Sequence, residues 1–173
     1  MPSAGAIEAT KYPAMAVTFT PFLWYAREAE AAARFYVSVI PGSSLDRITA
    51  MPVETPVGPP GAVTVVEFTL AGAPMMAMSA GEHDPFNDAV SLMLLCDTQA
   101  EIDSLWDGLV QGGGQPVACG WLKDRFGVSW QIAPRRFSAM IADPDRAAAA
   151  RVATAMMGMV KFDLAALEAA YAG

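Results

Sequence analysis

"REAEAAARFYVSVIPG" (residues 27–42) and "TQAEIDSLWDGLVQGGG" (residues 98–114) decide the fold when set side by side. In the first, Ala32, Phe35, Tyr36, Val39 and Ile40 recur at helical spacing; in the second, Ile102, Leu105, Trp106, Leu109 and Val110 do the same. A stripe at i, i+3, i+4, i+7 and i+8 predicts an amphipathic helix with one buried face. Pro41-Gly42 stops the first helix and Gly112 to Gly114 stop the second, while Thr98 and Glu101 form a capping box at its start. Every apolar position of the first stripe lies 70 residues before its counterpart in the second.

The flanks repeat as well. "TFTPFLWYA" (18–26) and "AVSLMLLCD" (89–97) are both short, β-prone and followed by a helix, and Pro21 falls on Ser91. After the helices the offset becomes 55, set by Gly72 and Gly127, and "VTVVEFTLAGAPMMAM" (63–78) falls on "CGWLKDRFGVSWQIA" (119–133). The first half gains its extra residues around "MPVETPVGPPGA" (51–62), whose prolines and glycines forbid regular structure. Each half reads as strand, helix and three strands, the last two joined by a tight turn; the weakest strand is expected near Gln115 to Cys119. Residues 1–16 read as an N-terminal extension, 17–82 and 83–136 as the two modules, and 137–173 as a helical tail. In the tail Asp143 is expected to cap one helix and Asp163 the next, where Leu164, Leu167 and Tyr171 form a narrow apolar stripe.

Composition narrows the function classes. Of 173 residues, 54% are apolar and 17% charged, and the net charge is −7 with no basic run, which argues against a nucleic-acid partner. No apolar run approaches the roughly eighteen residues of a membrane span, and the N-terminus lacks a secretory signal pattern. Cys96 and Cys119 have no metal-binding or redox spacing, so two free thiols in a cytoplasmic setting are expected. "QGGGQ" (111–115) follows a helix instead of opening one, so it is a helix stop; no glycine-rich strand-to-helix turn supports an S-adenosyl cofactor.

With the repeat in view, "TPFLWY", "AEAAARFYVSVIPGS", "VEFTLAG", "CGWLKDRFGVSWQI" and the tail "ALEAAYAG" resemble the PhnB-like branch of the glyoxalase/bleomycin resistance/dioxygenase (vicinal oxygen chelate) superfamily, a branch often labelled demethylubiquinone methyltransferase-like. The resemblance runs from about Val17 to the C-terminus. It implies an α+β fold in which two βαβββ modules form a curved mixed sheet around a cavity, here followed by C-terminal helices, with a second subunit commonly completing the cavity. It also implies four metal posts on the first and last strand of each module, and these fall on Pro21 (or Thr20, if the register slips by one), Met76, Ser91 and Gln131. That set offers neither charge nor imidazole, so no metal and no other cofactor is expected.

Three residues are candidates for chemistry. Cys119 is either a nucleophile, with Lys123 supplying positive charge, or a small inert hydrophobe. Lys123 either holds a ligand carboxylate or phosphate at the cavity mouth or is a solvated residue beside a turn that Asp124 stabilises. Glu67, alone in an apolar strand, faces the cavity as a base if Val66 and Phe68 pack on the helix, and otherwise faces solvent. His83 and Asp84 read as a loop able to close over a ligand rather than as a base–carboxylate pair. Trp24, Tyr25, Met76, Met78, Ser91, Met93, Trp121, Ser129 and Gln131 are the expected ligand-contacting set, and their aromatic and sulfur character favours a flat or apolar guest. The leading expectation is a homodimeric protein that binds a small molecule without a metal. A metal-dependent lyase or dioxygenase using other ligands, and an interaction protein with a filled cavity, are the alternatives.

Overall fold

A computed structural model of the chain describes residues 17–173; the extension expected at 1–16 lies outside them. The elements follow the order β1 (Phe22–Tyr25), α1 (Ala29–Val39), β2 (Ser44–Ala50), β3 (Thr64–Leu70), β4 (Ala73–Ser79), β5 (Leu92–Cys96), α2 (Gln99–Val110), β6 (Gln115–Pro116), β7 (Trp121–Lys123), β8 (Ser129–Pro134), then α3 (Phe137–Ala142), α4 (Arg146–Met157) and α5 (Leu164–Ala172). Two four-stranded mixed sheets result, in the orders β1-β4-β3-β2 and β5-β8-β7-β6. In each, the first strand runs parallel to the last and the hairpin strands pair antiparallel. The weakest expected strand, β6, is reduced to two residues.

Helix α1 packs on β3 and β4, and α2 on β7 and β8. Both predicted stripes face inward: Ala32 and Tyr36 on α1 and Ile40 at its C-cap are buried, as are Ile102, Leu105, Trp106 and Leu109 on α2. Strand alternation supplies the other half of the core, with Val66, Phe68, Ala77, Leu122, Trp130 and Ile132 turned to the helices. The opposite face of each sheet carries no helix of its module.

The capping box at α2 is present. The Glu101 backbone N–H donates to Thr98 Oγ1 at 3.2 Å, and the Asp97 and Thr98 N–H groups donate to Glu101 Oε2 at 2.8 and 3.0 Å. Those donors, Asp97 first and Thr98 second, hold the Glu101 carboxyl below its ordinary range. Its contribution is therefore present at neutral pH and fades as the pH falls through the depressed value. Thr98→Ala is expected to lower the unfolding free energy by about 1 kcal/mol in a urea titration at neutral pH.

Turn length sets the register between modules. Ala71 and Gly72 both take positive φ in a two-residue turn, whereas the second hairpin closes through Asp124–Val128 with Gly127 at φ 87°. The longer turn shifts the pairing by one residue, so Glu67 faces Met76 across its hairpin while Trp121 faces Gln131. At the first strands, Phe22 pairs with Met76 and Met93 with Gln131. Thr20, not Pro21, is accordingly the counterpart of Ser91.

The two modules meet through a buried polar knot. Asp124 is 3% exposed, and its Oδ2 accepts from Tyr36 Oη at 2.7 Å and Trp130 Nε1 at 2.8 Å. Its Oδ1 accepts from the Phe126 and Val128 backbone N–H groups at 2.8 and 3.0 Å. Tyr25 Oη lies 3.0 Å from Tyr36 Oη, and burial pushes both phenols above their ordinary range. The turn role expected for Asp124 is real, but it is only half of what the residue does.

The tail folds as three helices. Asp145, not Asp143, caps α4, accepting from the Ala147 and Ala148 N–H groups; Asp143 ends α3 and receives the Tyr171 hydroxyl instead. Asp143 Oδ1 accepts the Asp145 N–H at 2.8 Å in a local turn, and the cap lies two residues on. Asp163 caps α5 as expected, and Leu167 is buried.

Candidate functional site

The helix-free faces are where a ligand can be met. Alternation along β1 and β4 puts Phe22, Trp24, Met76 and Met78 on that face of the first sheet, with Phe22 47% and Trp24 41% exposed. On the second sheet the same face carries Ser91, Met93, Trp121, Lys123, Ser129 and Gln131, with Met93 52% exposed. Tyr25 departs from the expected set. It follows Trp24 by one residue, so it points the other way and is buried in the polar knot at 2% exposure.

Between β1 and β5 lies a recess of about 290 Å³. Phe22 and Leu23 wall one side and Ser91, Leu92 and Val128 the other, with Phe86 of the β4–β5 connection alongside. The recess thus draws its walls from both sheets. Phe86 packs edge-on to Tyr25 at 5.3 Å, which anchors the connection to the core.

The polar groups beside the recess are already paired. Gln131 Nε2 donates to Ser91 Oγ at 2.7 Å, joining two of the four posts that a chelating relative would use. Lys123 Nζ lies 3.0 Å from Asp88 Oδ1, to which Ser129 Oγ also donates at 3.0 Å. Bonds from Lys123 and then Ser129 hold the Asp88 carboxyl below its ordinary range. Lys123 is therefore neutralised by a neighbour, rather than presented as a free anchor for an anion. Sequence reading missed Asp88, because a loop carboxylate has no period that marks its partner.

Glu67 stands on the helix-free face, as the burial of Val66 and Phe68 requires, yet it is not a free base. Arg47 lies directly opposite on β2, with its Nε 2.9 Å from Glu67 Oε1. A cross-strand pair of opposite charge is the ordinary device for such a position. Cys119 occupies a turn at φ 57°, with Sγ 3.7 Å from the Met156 carbonyl, and its N–H donates to the Met159 carbonyl at 2.8 Å. That geometry holds a tail in place; Cys119 lines one hollow with Lys123, whose charge is already paired with Asp88. The other thiol, Cys96, is buried, and burial pushes it up to about 11.

The metal posts implied by the resemblance do not fit a divalent cation. Met76 offers a thioether, Ser91 and Gln131 offer neutral oxygens that already bond with one another, and the fourth post offers one neutral hydroxyl, from Thr20, where Pro21 would offer none. Elsewhere among the described residues, no three His, Cys, Asp or Glu side chains gather closely enough to hold a metal ion. No described helix is long and apolar enough to cross a membrane.

Comparison with known proteins agrees with this architecture. The sequence model of the family described as 3-demethylubiquinone-9 3-methyltransferase matches residues 17–133. A PhnB protein of Bacillus cereus, titled as such a methyltransferase, is 30% identical at TM-score 0.59, covering 67% of this chain and 98% of its own. A Pseudomonas aeruginosa protein is 20% identical at TM-score 0.49, covering 68% and 98%. A glyoxylase/bleomycin resistance protein/dioxygenase domain from Frankia sp. EAN1pec is 11% identical at TM-score 0.45, covering 68% and 96%. No curated protein matches. The match ends at residue 133, so the likeness read in the tail lies outside it. With its β1-β4-β3-β2 and β5-β8-β7-β6 sheets and a match across both modules, the chain belongs to the 3-demethylubiquinone-9 3-methyltransferase (PhnB-like) family.

Proposed function

We propose that the chain is a small-molecule-binding protein that takes a flat, apolar or aromatic ligand into the recess between its two first strands, without a metal. The observation that carries this reading is the recess itself: it is open, about 290 Å³, and walled by Phe22, Leu23, Leu92 and Val128 from both sheets. Such a cleft, apolar with a few placed polar groups, is the usual form of a small-molecule site. The Ser91–Gln131 pair at its edge offers neutral hydrogen bonding in place of ligation. The openness of the recess also disfavours an interaction protein whose cavity is filled by its own side chains.

The family label names a methyl transfer, but the residues here do not fit an S-adenosyl group. The strand-to-helix connections, residues 26–28 and 97–98, hold no glycine with which the backbone would approach a nucleotide. Binding is what the geometry supports, and no residue is given a catalytic step.

A second copy of the chain completes the site. Phe22, Trp24, Met93 and Leu95 lie exposed along the helix-free faces, and a monomer rarely leaves so much large apolar surface in water. Sedimentation is expected to give twice the 18.2 kDa of one chain. Two unbridged cysteines suit a reducing compartment, the cytoplasm.

The test is a thermal-shift titration with 2-naphthol, menadione and divalent metals, alongside metal analysis of protein purified without chelator. The aromatic probes are expected to raise the midpoint, by linkage worth about 2.7 kcal/mol at a hundred times the dissociation constant. Ser91→Trp, which fills the recess, is expected to abolish that rise. Stoichiometric Zn, Ni, Mn or Fe in the purified protein would favour a metal-dependent lyase or dioxygenase instead, and equal shifts in Ser91→Trp would place the ligand elsewhere.

A further inference from the structure

A second hollow opens next to the recess and shares Phe22 and Phe86 with it. Its other walls are Trp24, Glu82, His83 and Asp84. Four aromatic rings and two carboxylates therefore surround one space. The Trp24 and His83 rings lie 6.4 Å apart at 36°, and the His83 and Phe86 rings 5.5 Å apart at 54°. Tilted rings form a corner, whereas stacked ones would fill it with each other.

Two of the polar ring atoms are already bonded to backbone carbonyls. Trp24 Nε1 donates to the Gly81 carbonyl at 3.2 Å. His83 Nδ1 sits 2.6 Å from the Asp84 carbonyl, so that nitrogen carries the hydrogen and donates it. Glu82 and Asp84 are exposed, and among the described residues neither meets a Lys or Arg in an ion pair. No Lys or Arg lines the hollow either. Arg125, which lines a third hollow together with His83, is held 4.3 Å over the Phe35 ring and 4.8 Å over that of Phe126.

We infer that the ligand carries an organic ammonium group, seated in this hollow while its apolar body occupies the adjoining recess. The inference rests on the binding reading proposed above and adds the ligand's charge to it. Ring faces carry negative quadrupole charge and attract cations, most strongly at tryptophan. Two carboxylates reinforce that field, on a chain whose net charge is −7. An anion would meet two carboxylates and no Lys or Arg in the hollow, and a neutral group would gain nothing from either feature.

The experiment is calorimetry on the full chain with three probes of one shape class: (2-naphthylmethyl)trimethylammonium, 2-naphthylmethanol and 2-naphthoate. The ammonium is expected to bind about tenfold more tightly than the alcohol, the order of one desolvated cation–aromatic contact, and 2-naphthoate more weakly than either. In the Glu82→Gln/Asp84→Asn double variant the ammonium preference is expected to shrink several-fold while alcohol affinity holds. Both substitutions are at exposed positions, and an unchanged melting midpoint confirms the fold. Equal affinity for ammonium and alcohol, or a preference undiminished in the double variant, overturns the ammonium assignment and leaves the recess reading standing. Failure of all three probes to bind removes both.

Discussion

Asp124→Ala is expected to cost about 3 kcal/mol or more of unfolding free energy, because it deletes the common acceptor of four donors. Two of those donors, the Tyr36 hydroxyl and the Trp130 indole N–H, are themselves buried, with Tyr36 at 0% and Trp130 at 1% exposure. Alanine leaves them with no acceptor and opens a gap between α1 and β8. For a chain of this length the melting midpoint is expected to drop by about 10 °C. Asp124→Asn is the informative control. Its amide keeps the shape and can still accept through oxygen, but its NH2 then faces either the turn N–H groups or the Trp130 N–H, donor against donor. An intermediate loss follows. Tyr36→Phe removes one donor to Asp124 and the neighbour of Tyr25, so about 1 kcal/mol is expected. Equal stability of all three variants in a urea titration would show that the modules are held by their apolar contacts alone.

Gly120→Val is the second large effect, and it acts on the tail. Gly120 sits at φ 80°, and a Cβ there would lie 2.4 Å from Phe162 Cε2 and 2.9 Å from the Ile132 carbonyl oxygen. The Phe162 ring can shift only by leaving its buried seat; the Ile132 carbonyl, on a central strand, cannot shift at all. A β-branched residue at positive φ adds about 1–2 kcal/mol of backbone strain. The total is expected near 3 kcal/mol, comparable with Phe162→Ala, which empties the same seat. What lifts off is predictable from the contacts. The Cys119 and Gly120 N–H groups donate to the Met159 and Val160 carbonyls at 2.8 Å, and Gln99 bonds both the Phe162 carbonyl and the Leu164 N–H. Lys161 joins the same seam, 2.7 Å from Asp103 on α2. Hydrogen exchange on Gly120→Val is expected to show lost protection at residues 119–120 and across α5, with protection on β3 and β4 retained. Uniform loss across both modules would mean that the tail is integral to the core rather than docked upon it.

Much of the fold was legible because its signals are local. The helical stripes, the Thr98–Glu101 box and the glycine turns each occupy a short stretch of chain, and the repeat is the same short signals met twice. The chemistry of the implied metal posts was legible for a similar reason: proline or threonine, methionine, serine and glutamine carry no charge wherever they stand. Asp145 replacing Asp143 as a cap shows the limit even of local signals, since an Asp-Pro-Asp run offers two acceptors; Asp143 takes the Asp145 N–H and Asp145 takes those of the helix.

The sequence by itself determined two repeated α+β modules, their helix faces and the uncharged residue types at the implied metal posts. Only the tertiary structure decided which polar residues are free. Glu67 met Arg47, Lys123 met Asp88, Tyr25 turned into the knot around Asp124, and Trp24, His83 and Phe86 came to enclose one hollow. These pairings join residues up to 88 positions apart, and each depends on strand register and on how the two modules pack. One extra residue in the second hairpin's turn moves every partner on that strand, so no reading of residue types alone could have fixed them.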